Sequence, residues 1–402
     1  MALGNEIIAV IDIGSYKITA AIGSKYNGEW TITGYGESPC IGFKKDMIYD
    51  VKACVKCIQS ALAQAESQVG IKVNQIFVGF SGGNITSTNK VASINIPQSQ
   101  KFVNYKDVDL VTKACQQKIS SQELEIIHTT TRDYAVDGSW GISDPIGKKC
   151  SRLDMEAHII HGQANAVQNL YQALKQAEIH AAGVFFIPYV LAYQLLEPVE
   201  KEIGTILVDI GGSTTGLCWF HRGKPWMTYT IPIGSEHVTS DLAIGLRLPI
   251  SDASEVKINY GLQEMDVIGE AVEITAKSTM HNRKVSSKLI RDIIEARLQE
   301  MVDWINFSIK EYGQGLKPAE MVITGGGSKL VGLEEFFSMS ANMPVRKIDY
   351  NNHAEKLPID AGISSTFMEY VADNLQKDCE QENKLLFNLK SSLKNVIDRF
   401  SS

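Results

Sequence analysis

Two copies of the tripeptide Asp-Ile-Gly carry the clearest chemistry in this chain, in Asp12-Ile13-Gly14-Ser15 and in Asp209-Ile210-Gly211-Gly212-Ser213-Thr214. Each copy follows an apolar run and leads into another, which is typical of a strand, a tight glycine turn and a returning strand. Glycine lets the backbone approach a ligand closely, and successive N–H groups in such a turn bind anions. The two turns therefore predict two similar halves that grip one polyphosphate from both sides.

The residue types in the turns suggest how a nucleotide would be held. We expect the phosphates to be bound by the turn residues and the lysine after the first turn: Gly14, Ser15, Tyr16, Lys17, Gly211, Gly212, Ser213 and Thr214. An exposed strand lysine is the alternative for Lys17. Asp12 and Asp209, also the catalytic candidates, are expected to hold Mg²⁺ through water, because Mg²⁺ loses its hydration shell reluctantly.

A third glycine run follows a predicted strand at Met321–Thr324 and precedes a helix from about Leu330. A run in this position places backbone beside a flat ligand or a phosphate. We expect it to cover the purine or ribose through Gly325, Gly326, Gly327 and Ser328. The chain has neither a Walker A pattern nor a G-x-G-x-x-G motif, which excludes a P-loop protein and disfavours a dinucleotide fold.

The composition sets outer limits on function. A chain of 402 residues with 44% hydrophobic and 21% charged residues is typical of a soluble globular protein with roughly two to four domains. A net charge of −7 argues against nucleic acid as a partner. The seven scattered cysteines indicate reduced thiols in the cytosol, and Cys54-Val55-Lys56-Cys57 fits ordinary helix positions better than a metal site. We expect no signal peptide and no membrane-spanning segment.

The order of predicted elements repeats. The first half predicts strands at Ile7–Ile13, Lys17–Gly23 and Trp30–Gly36, a helix at Val51–Val69 and a strand at Gln75–Gly79. The second half predicts strands at Thr205–Asp209, Gly216–Phe220 and Trp226–Ile231, followed by helices. Strand triplets followed by helices in both halves indicate internal duplication of an α/β unit.

Each half also carries an insertion. The segment from Asn84 to His161 predicts a small α+β unit with a helix at Lys106–Ile119 and a closing loop at Asp137–Gly147. The segment from Glu236 to Lys310 is mostly helical and ends in an amphipathic helix at Ser286–Tyr312. The first core domain is predicted to comprise residues 1–83, 163–197 and 355–376, and the second to comprise 198–233 and 303–354. The two insertions are 84–162 and 234–302. A linker at 377–384 and a terminal helix at 385–402 follow.

The terminal helix predicts membrane contact. On a helical wheel, seven apolar residues fall in about one third of the circumference: Leu385, Leu386, Leu389, Leu393, Val396, Ile397 and Phe400. Lys390 and Lys394 lie off this stripe, which fits a helix lying in the interface of an anionic membrane. A helix packed on its own domain or on a partner is the alternative. One such helix would bind weakly, whereas several copies on one polymer would bind firmly, which suggests self-assembly.

Together these features resemble a known superfamily. The twin turns and the third glycine loop look like the ATP-binding fold shared by actin, heat-shock chaperones and sugar kinases. The first insertion is similar to the subdomain peculiar to the FtsA family of bacterial division proteins. The residues that carry this similarity are Tyr134–Gly138, Gly141-Ile142, Asp144–Gly147, Leu153 and Glu156–His158. The segment Ser251–Ala253, with Lys257 and Tyr260-Gly261, resembles an FtsA segment near the adenine. The resemblance covers essentially the whole chain.

The resemblance implies a duplicated actin-like (ribonuclease H-like) α/β fold, with two lobes around a nucleotide cleft and the two insertions described above. It implies ATP and Mg²⁺ as ligands, with Lys257 at the nucleotide. It further implies a peripheral protein on the cytoplasmic side of the membrane at the division septum, which polymerises and anchors FtsZ filaments. The second insertion would take the FtsZ C-terminal tail through the helix Ser286–Tyr312, and the first would make polymer contacts and meet other division proteins.

Two positions depart from the family pattern. Gly216 stands where the family usually has an acidic residue after its second glycine turn, and Ser254 stands where it usually has a glutamate, with Glu255 one place later. We therefore expect ATP binding with slow or negligible turnover. Two alternatives remain: a small-molecule kinase of the same superfamily, which would need a base for the substrate hydroxyl, and an actin-like scaffold of pilus assembly.

Overall fold

The computed structural model describes residues 7–26, 29–44, 47–82, 84–97, 102–119, 121–262, 271–276, 281–348, 350 and 361–380. The strands are β1 (Ile7–Ile13), β2 (Lys17–Tyr26), β3 (Glu29–Pro39), β4 (Phe43–Lys44), β5 (Met47–Ile48), β6 (Ile76–Phe80), β7 (Thr86–Asn95), β8 (Leu124–Val136), β9 (Ser139–Ile142), β10 (Arg152–Gln163), β11 (Ala181–Phe186), β12 (Thr205–Ile210), β13 (Thr215–His221), β14 (Lys224–Ile231), β15 (Ala271–Ala276), β16 (His281–Ser286), β17 (Glu320–Thr324) and β18 (Val345–Lys347). The helices are α1 (Val51–Val69), α2 (Tyr105–Gln117), α3 (Ala164–Gln176), α4 (Ile187–Leu195), α5 (Pro198–Ile203), α6 (Ser235–Leu246), α7 (Ile250–Tyr260), α8 (Ser287–Tyr312), α9 (Leu333–Ala341) and α10 (Ala361–Glu380), with a 3₁₀ turn at Gly326–Lys329.

The two lobes repeat one sheet design. In the first lobe the strand order is β11-β6-β1-β2-β3, with β1 antiparallel to β2 and parallel to β6. In the second lobe the order β18-β17-β12-β13-β14 matches it, with β12 antiparallel to β13 and parallel to β17. The central strands are buried on both faces, since every residue of β12 is buried. The predicted duplicated α/β fold is therefore confirmed, and each Asp-Ile-Gly turn joins the first two strands of its lobe.

The first insertion extends the sheet of the second lobe. Its strands β7-β10-β8-β9 continue from β14 through the pair Tyr229 and Thr86, which makes one nine-stranded sheet. The buried His158 ring reinforces the junction, because Nδ1 lies 2.7 Å from Asn89 Oδ1 and Nε2 lies 2.8 Å from Thr228 Oγ1. The insertion thus bridges the lobes, because its sequence interrupts the first lobe while its strands pair with the sheet of the second.

One local prediction is wrong. The expected loop at Asp137–Gly147 contains strand β9, which pairs with β8, and Asp137 and Gly138 form the turn with φ of 48° and 85°. Two adjacent residues with positive φ are the signature of a tight hairpin turn. The second insertion is mostly helical, as predicted, and it also contains the antiparallel pair β15 and β16.

The C-terminal predictions lie largely outside the described residues. Helix α10 continues to Glu380, so residues 377–380, which were expected to belong to the linker at 377–384, are helical. The predicted membrane helix at 385–402 lies outside the described residues. Among the helices that are described, none combines the length and apolar character needed to cross a bilayer. Cys54 and Cys57 are buried free thiols of α1.

Candidate functional site

A cavity of about 450 Å³ lies between the two lobes, at the ends of β1 and β12. Both glycine turns face it, as does the third glycine loop. The residues predicted to bind nucleotide or metal that line it are Asp12, Gly14, Ser15, Tyr16, Lys17, Asp209, Gly211, Gly212, Thr214, Lys257, Gly326 and Gly327. Residues far apart in sequence therefore meet in one site because the sheets place the carboxyl-end turns of both lobes opposite each other.

Three residues predicted to bind nucleotide, Ser213, Gly325 and Ser328, do not line the cavity but stabilise the turns that do. The N–H of Ser213 donates to Ser15 Oγ at 2.9 Å, so this amide is engaged by the opposite turn. The buried Ser328 hydroxyl donates to the Gly325 carbonyl at 2.8 Å and closes the third loop. Gly325 has a φ of 85°, and a Cβ there would lie 2.3 Å from Asp209 Oδ1. Only glycine fits beside this carboxylate.

The first glycine of each turn has a different role from the one predicted. The N–H of Gly14 donates to the Lys17 carbonyl at 3.2 Å, and the N–H of Gly211 donates to the Thr214 carbonyl at 2.9 Å. These amides close the turns, so they are not available to a phosphate, which differs from the expectation for Gly14 and Gly211. The matching bonds show that both halves build the same turn.

The carboxylates of Asp12 and Asp209 form the electrostatic centre of the site. Burial raises the pKa of Asp12 to about 6, while the charge of Lys17 lowers it in part. Burial, together with the charge of Asp12, raises the pKa of Asp209 to about 7. Asp12 Oδ1 is buried and accepts no hydrogen bond within the described part of the chain. Two desolvated carboxylates with an unsatisfied oxygen fit a hydrated divalent cation.

Lys17 and Lys257 supply positive charge at opposite ends of the cavity. Lys17 lies 3.2 Å from Glu37, and its side chain is 28% exposed. Lys257 donates to Ser235 Oγ at 3.1 Å and lies 3.3 Å from Glu236 Oε1. Lys17 is therefore not a fully exposed strand lysine.

Sequence reasoning missed several lining residues, because α6 and α8 approach the cleft only in the folded chain. The polar ones are Ser81, Ser235, Glu236 and Lys329, and the apolar ones include Val238, Ile258, Leu298, Met301 and Leu333. The apolar group gives the second lobe a surface for a flat base.

Gly216, the first position that departs from the family pattern, has no space for a side chain. A Cβ on Gly216 would lie 2.2 Å from Pro188 Cγ and 2.9 Å from Pro188 Cβ. Any side chain at 216 would therefore displace the first turn of α4. At the second departure, Ser254 lines the cavity whereas Glu255 does not.

Comparisons with known proteins agree with this geometry. A family model described as "Cell division protein FtsA" matches residues 206–365, and one described as "SHS2 domain inserted in FTSA" matches residues 82–161. The chain is 31% identical to the cell division protein FtsA of Pseudomonas aeruginosa over 85% of its own length and 82% of that protein. It is 30% identical to the FtsA of Neisseria meningitidis over 84% and 83%, and 30% identical to that of Bacillus subtilis over 82% and 75%.

Solved structures show a similar fold at low identity. A PilM-PilN type IV pilus biogenesis complex is similar with a TM-score of 0.62 and 16% identity, over 91% of this chain and 98% of that one. MreB5 of Spiroplasma citri bound to ADP is similar with a TM-score of 0.53 and 12% identity, over 92% and 98%. At these identities the likeness concerns the fold alone.

Proposed function

This chain belongs to the FtsA family and is an actin-like cell division protein, and we propose that it is an ATP-binding scaffold which polymerises on the inner membrane face and anchors FtsZ filaments at the septum. The observation that carries this proposal is the pair of carboxylates that lines the cleft between two matching glycine turns, half-buried Asp12 and buried Asp209. A scaffold of this kind uses nucleotide as an assembly ligand.

ATP and Mg²⁺ are the proposed ligands of the cleft. Asp12 and Asp209 would hold Mg²⁺ through water, and the bound ion would neutralise phosphate charge. Ser15, Tyr16, Gly212 and Lys17 line the phosphate end. MreB5 of Spiroplasma citri, which has a similar fold, binds ADP and AMPPNP, and this supports the choice of an adenine nucleotide.

Turnover is proposed to be slow or absent. Hydrolysis in this superfamily needs a group that orients or deprotonates the attacking water. The packing of Pro188 against Gly216 leaves no space for a carboxylate at that position. The protein would therefore stay loaded with ATP after binding, which suits a structural role.

The insertions and the terminal helix are the proposed contact regions. The second insertion, which includes the first half of α8, would take the FtsZ C-terminal tail, and its exposed Ile244 and Leu289 offer apolar contacts. The first insertion would contact neighbouring subunits and other division proteins. Residues 385–402 would bind the anionic membrane surface from the cytoplasmic side.

Calorimetric titration with Mg²⁺ and ATP tests the proposal directly. We expect saturable binding by the full chain and at least about tenfold weaker binding by Asp209→Asn, because charged contacts of this kind contribute strongly to affinity. Absence of binding would refute the nucleotide role. A labelled FtsZ tail peptide separates a division scaffold from a pilus scaffold, and phosphate transfer from ATP to a sugar or acid would instead favour a kinase.

A further inference from the structure

We propose that Glu236 is the residue that recognises the ribose hydroxyls of the nucleotide. The inference rests on the proposed function, since it assigns a role within the same cleft. It concerns selection of a ribonucleotide over a deoxyribonucleotide. Three independent contacts of the Glu236 side chain and backbone carry it.

The backbone of Glu236 is attached to the phosphate end of the cleft. Its N–H donates to the Gly212 carbonyl at 2.8 Å. A Cβ on Gly212 would lie 3.6 Å from Glu236 Cγ, so the side chain starts directly above the second glycine turn. Glu236 also belongs to the first turn of α6, within the field of the helix N-terminus, which stabilises its negative charge.

The carboxylate end of Glu236 points toward α7. Oε1 lies 3.3 Å from Lys257 Nζ and accepts from Thr239 Oγ1 at 3.4 Å. Lys257 is held in turn by the Ser235 carbonyl at 3.2 Å. The side chain therefore spans the distance from the phosphate turn to the helix that lines the far side of the cavity. In a nucleotide, the ribose occupies this interval between the phosphates and the base.

One oxygen of Glu236 is available to a ligand. Among the described residues, no donor contacts Oε2, and the side chain is 36% exposed while it lines the cavity. Lys257 and Thr239 fix the carboxylate through its other oxygen. A carboxylate fixed in this way can accept hydrogen bonds from vicinal hydroxyl groups without a further loss of side-chain freedom.

No other acidic residue of the described chain fills the same place. Ser254, Lys257 and Ile258 form the face of α7 that lines the cavity, and Glu255 lies off that face. The Ser254 side chain is shorter than the glutamate usual for the family. Asp12 and Asp209, the other carboxylates lining the cavity, lie at the phosphate end.

Affinities for ATP and 2′,3′-dideoxy-ATP, each with Mg²⁺, test the inference. We expect the wild-type chain to prefer ATP by about tenfold or more, because a charged hydrogen bond contributes that much. In Glu236→Ala, the affinity for ATP should fall to that for the dideoxy nucleotide, which itself should change little. Glu255→Ala, which removes the neighbouring carboxylate that does not line the cavity, should keep the full preference.

Each alternative outcome is decisive. Equal affinity of the wild-type chain for the two nucleotides, or an unchanged preference in Glu236→Ala, would overturn the inference while leaving ATP binding intact. Loss of the preference in Glu255→Ala instead would assign the role to that residue and would also overturn it. Failure of the wild-type chain to bind either nucleotide would overturn the proposed function as well. If Glu236→Ala does not fold, Glu236→Gln is measured for the same ratio.

Discussion

The ring of Pro188 fills the space beside Gly216: a Cβ on Gly216 would lie 2.2 Å from Pro188 Cγ. Gly216 pairs with Asp209 in the β12–β13 hairpin, so Pro188, in the first turn of α4, packs against the strand partner of one of the two cleft aspartates. Pro188 therefore occupies the space that an acidic side chain at position 216 would need. The absence of a carboxylate at position 216 is the reason why we expect slow or negligible hydrolysis of ATP.

Introducing the missing carboxylate should destabilise the protein without creating an ATPase. We expect Gly216→Asp to lower the free energy of unfolding by about 3 kcal/mol or more, because it overpacks the core and buries a charge. Urea unfolding measures the loss. Combining it with Pro188→Gly should recover part of the stability, relative to Pro188→Gly alone. Strictly additive losses in this double-mutant cycle would show that Pro188 is not the obstacle.

The buried carboxylate pair should make the stability of the ligand-free protein depend on pH. Burial raises the pKa of Asp12 to about 6 and that of Asp209 to about 7, above the roughly 3.9 expected in the unfolded chain. The folded state therefore keeps protons that the unfolded state releases, and stability falls as pH rises from about 5 to 8. In Asp209→Asn the fall should be smaller, whereas Asp303→Asn, an exposed control, should match the wild type.

Magnesium binding should show the opposite dependence on pH, since the ion requires ionised carboxylates. The increase in melting temperature caused by Mg²⁺ and ATP should be larger at pH 8 than at pH 6. Thermal unfolding at the two pH values measures it. An equal or larger increase at pH 6 would contradict metal binding by these two aspartates.

The buried His158 should stabilise the junction between the first insertion and the second lobe. His158→Ala removes the partner of Asn89 and Thr228, and we expect a loss of about 2–4 kcal/mol at pH 7. His180→Ala removes an exposed ring and should cost less than about 0.5 kcal/mol. Chemical denaturation compares the two variants, and equal effects would contradict a structural role for His158.

The effect of His158→Ala should also shrink at low pH. Burial, with the positive charges of Arg132, His128 and His161, lowers the pKa of His158 to about 3. Because the unfolded histidine has a pKa of about 6.5, its contribution is complete above that pH and is lost as pH falls. The difference in stability between the wild type and His158→Ala should therefore be smaller at pH 5 than at pH 7.

The terminal helix should bring the protein to anionic membranes. Leu389→Asp places a charge within the predicted apolar stripe and should reduce cosedimentation with anionic liposomes severalfold, as should a chain that ends before Lys384. Asn388→Asp adds the same charge outside the stripe and serves as the matched control. Equal pelleting of the truncated and full chains would refute the anchor.

The sequence predicted the repeated elements well because their signals are local. Strand β1 and helix α1 match their predicted bounds, since apolar strands next to glycine turns and a capped amphipathic helix depend little on distant contacts. Strand β9 was missed although its turn residues, Asp137 and Gly138, form a dipeptide typical of a two-residue hairpin turn. The approach of Glu236 to the cleft was also missed, because it depends on how α6 packs over Gly212, and no local pattern contains that contact.

The most direct test of the central claim is a crystal structure with Mg²⁺ and a non-hydrolysable ATP analogue. We expect triphosphate density between Gly212 and Tyr16, with a hydrated Mg²⁺ beside Asp12 and Asp209 and the ribose next to Glu236. An empty cleft in crystals that hold the nucleotide elsewhere on the molecule would contradict it.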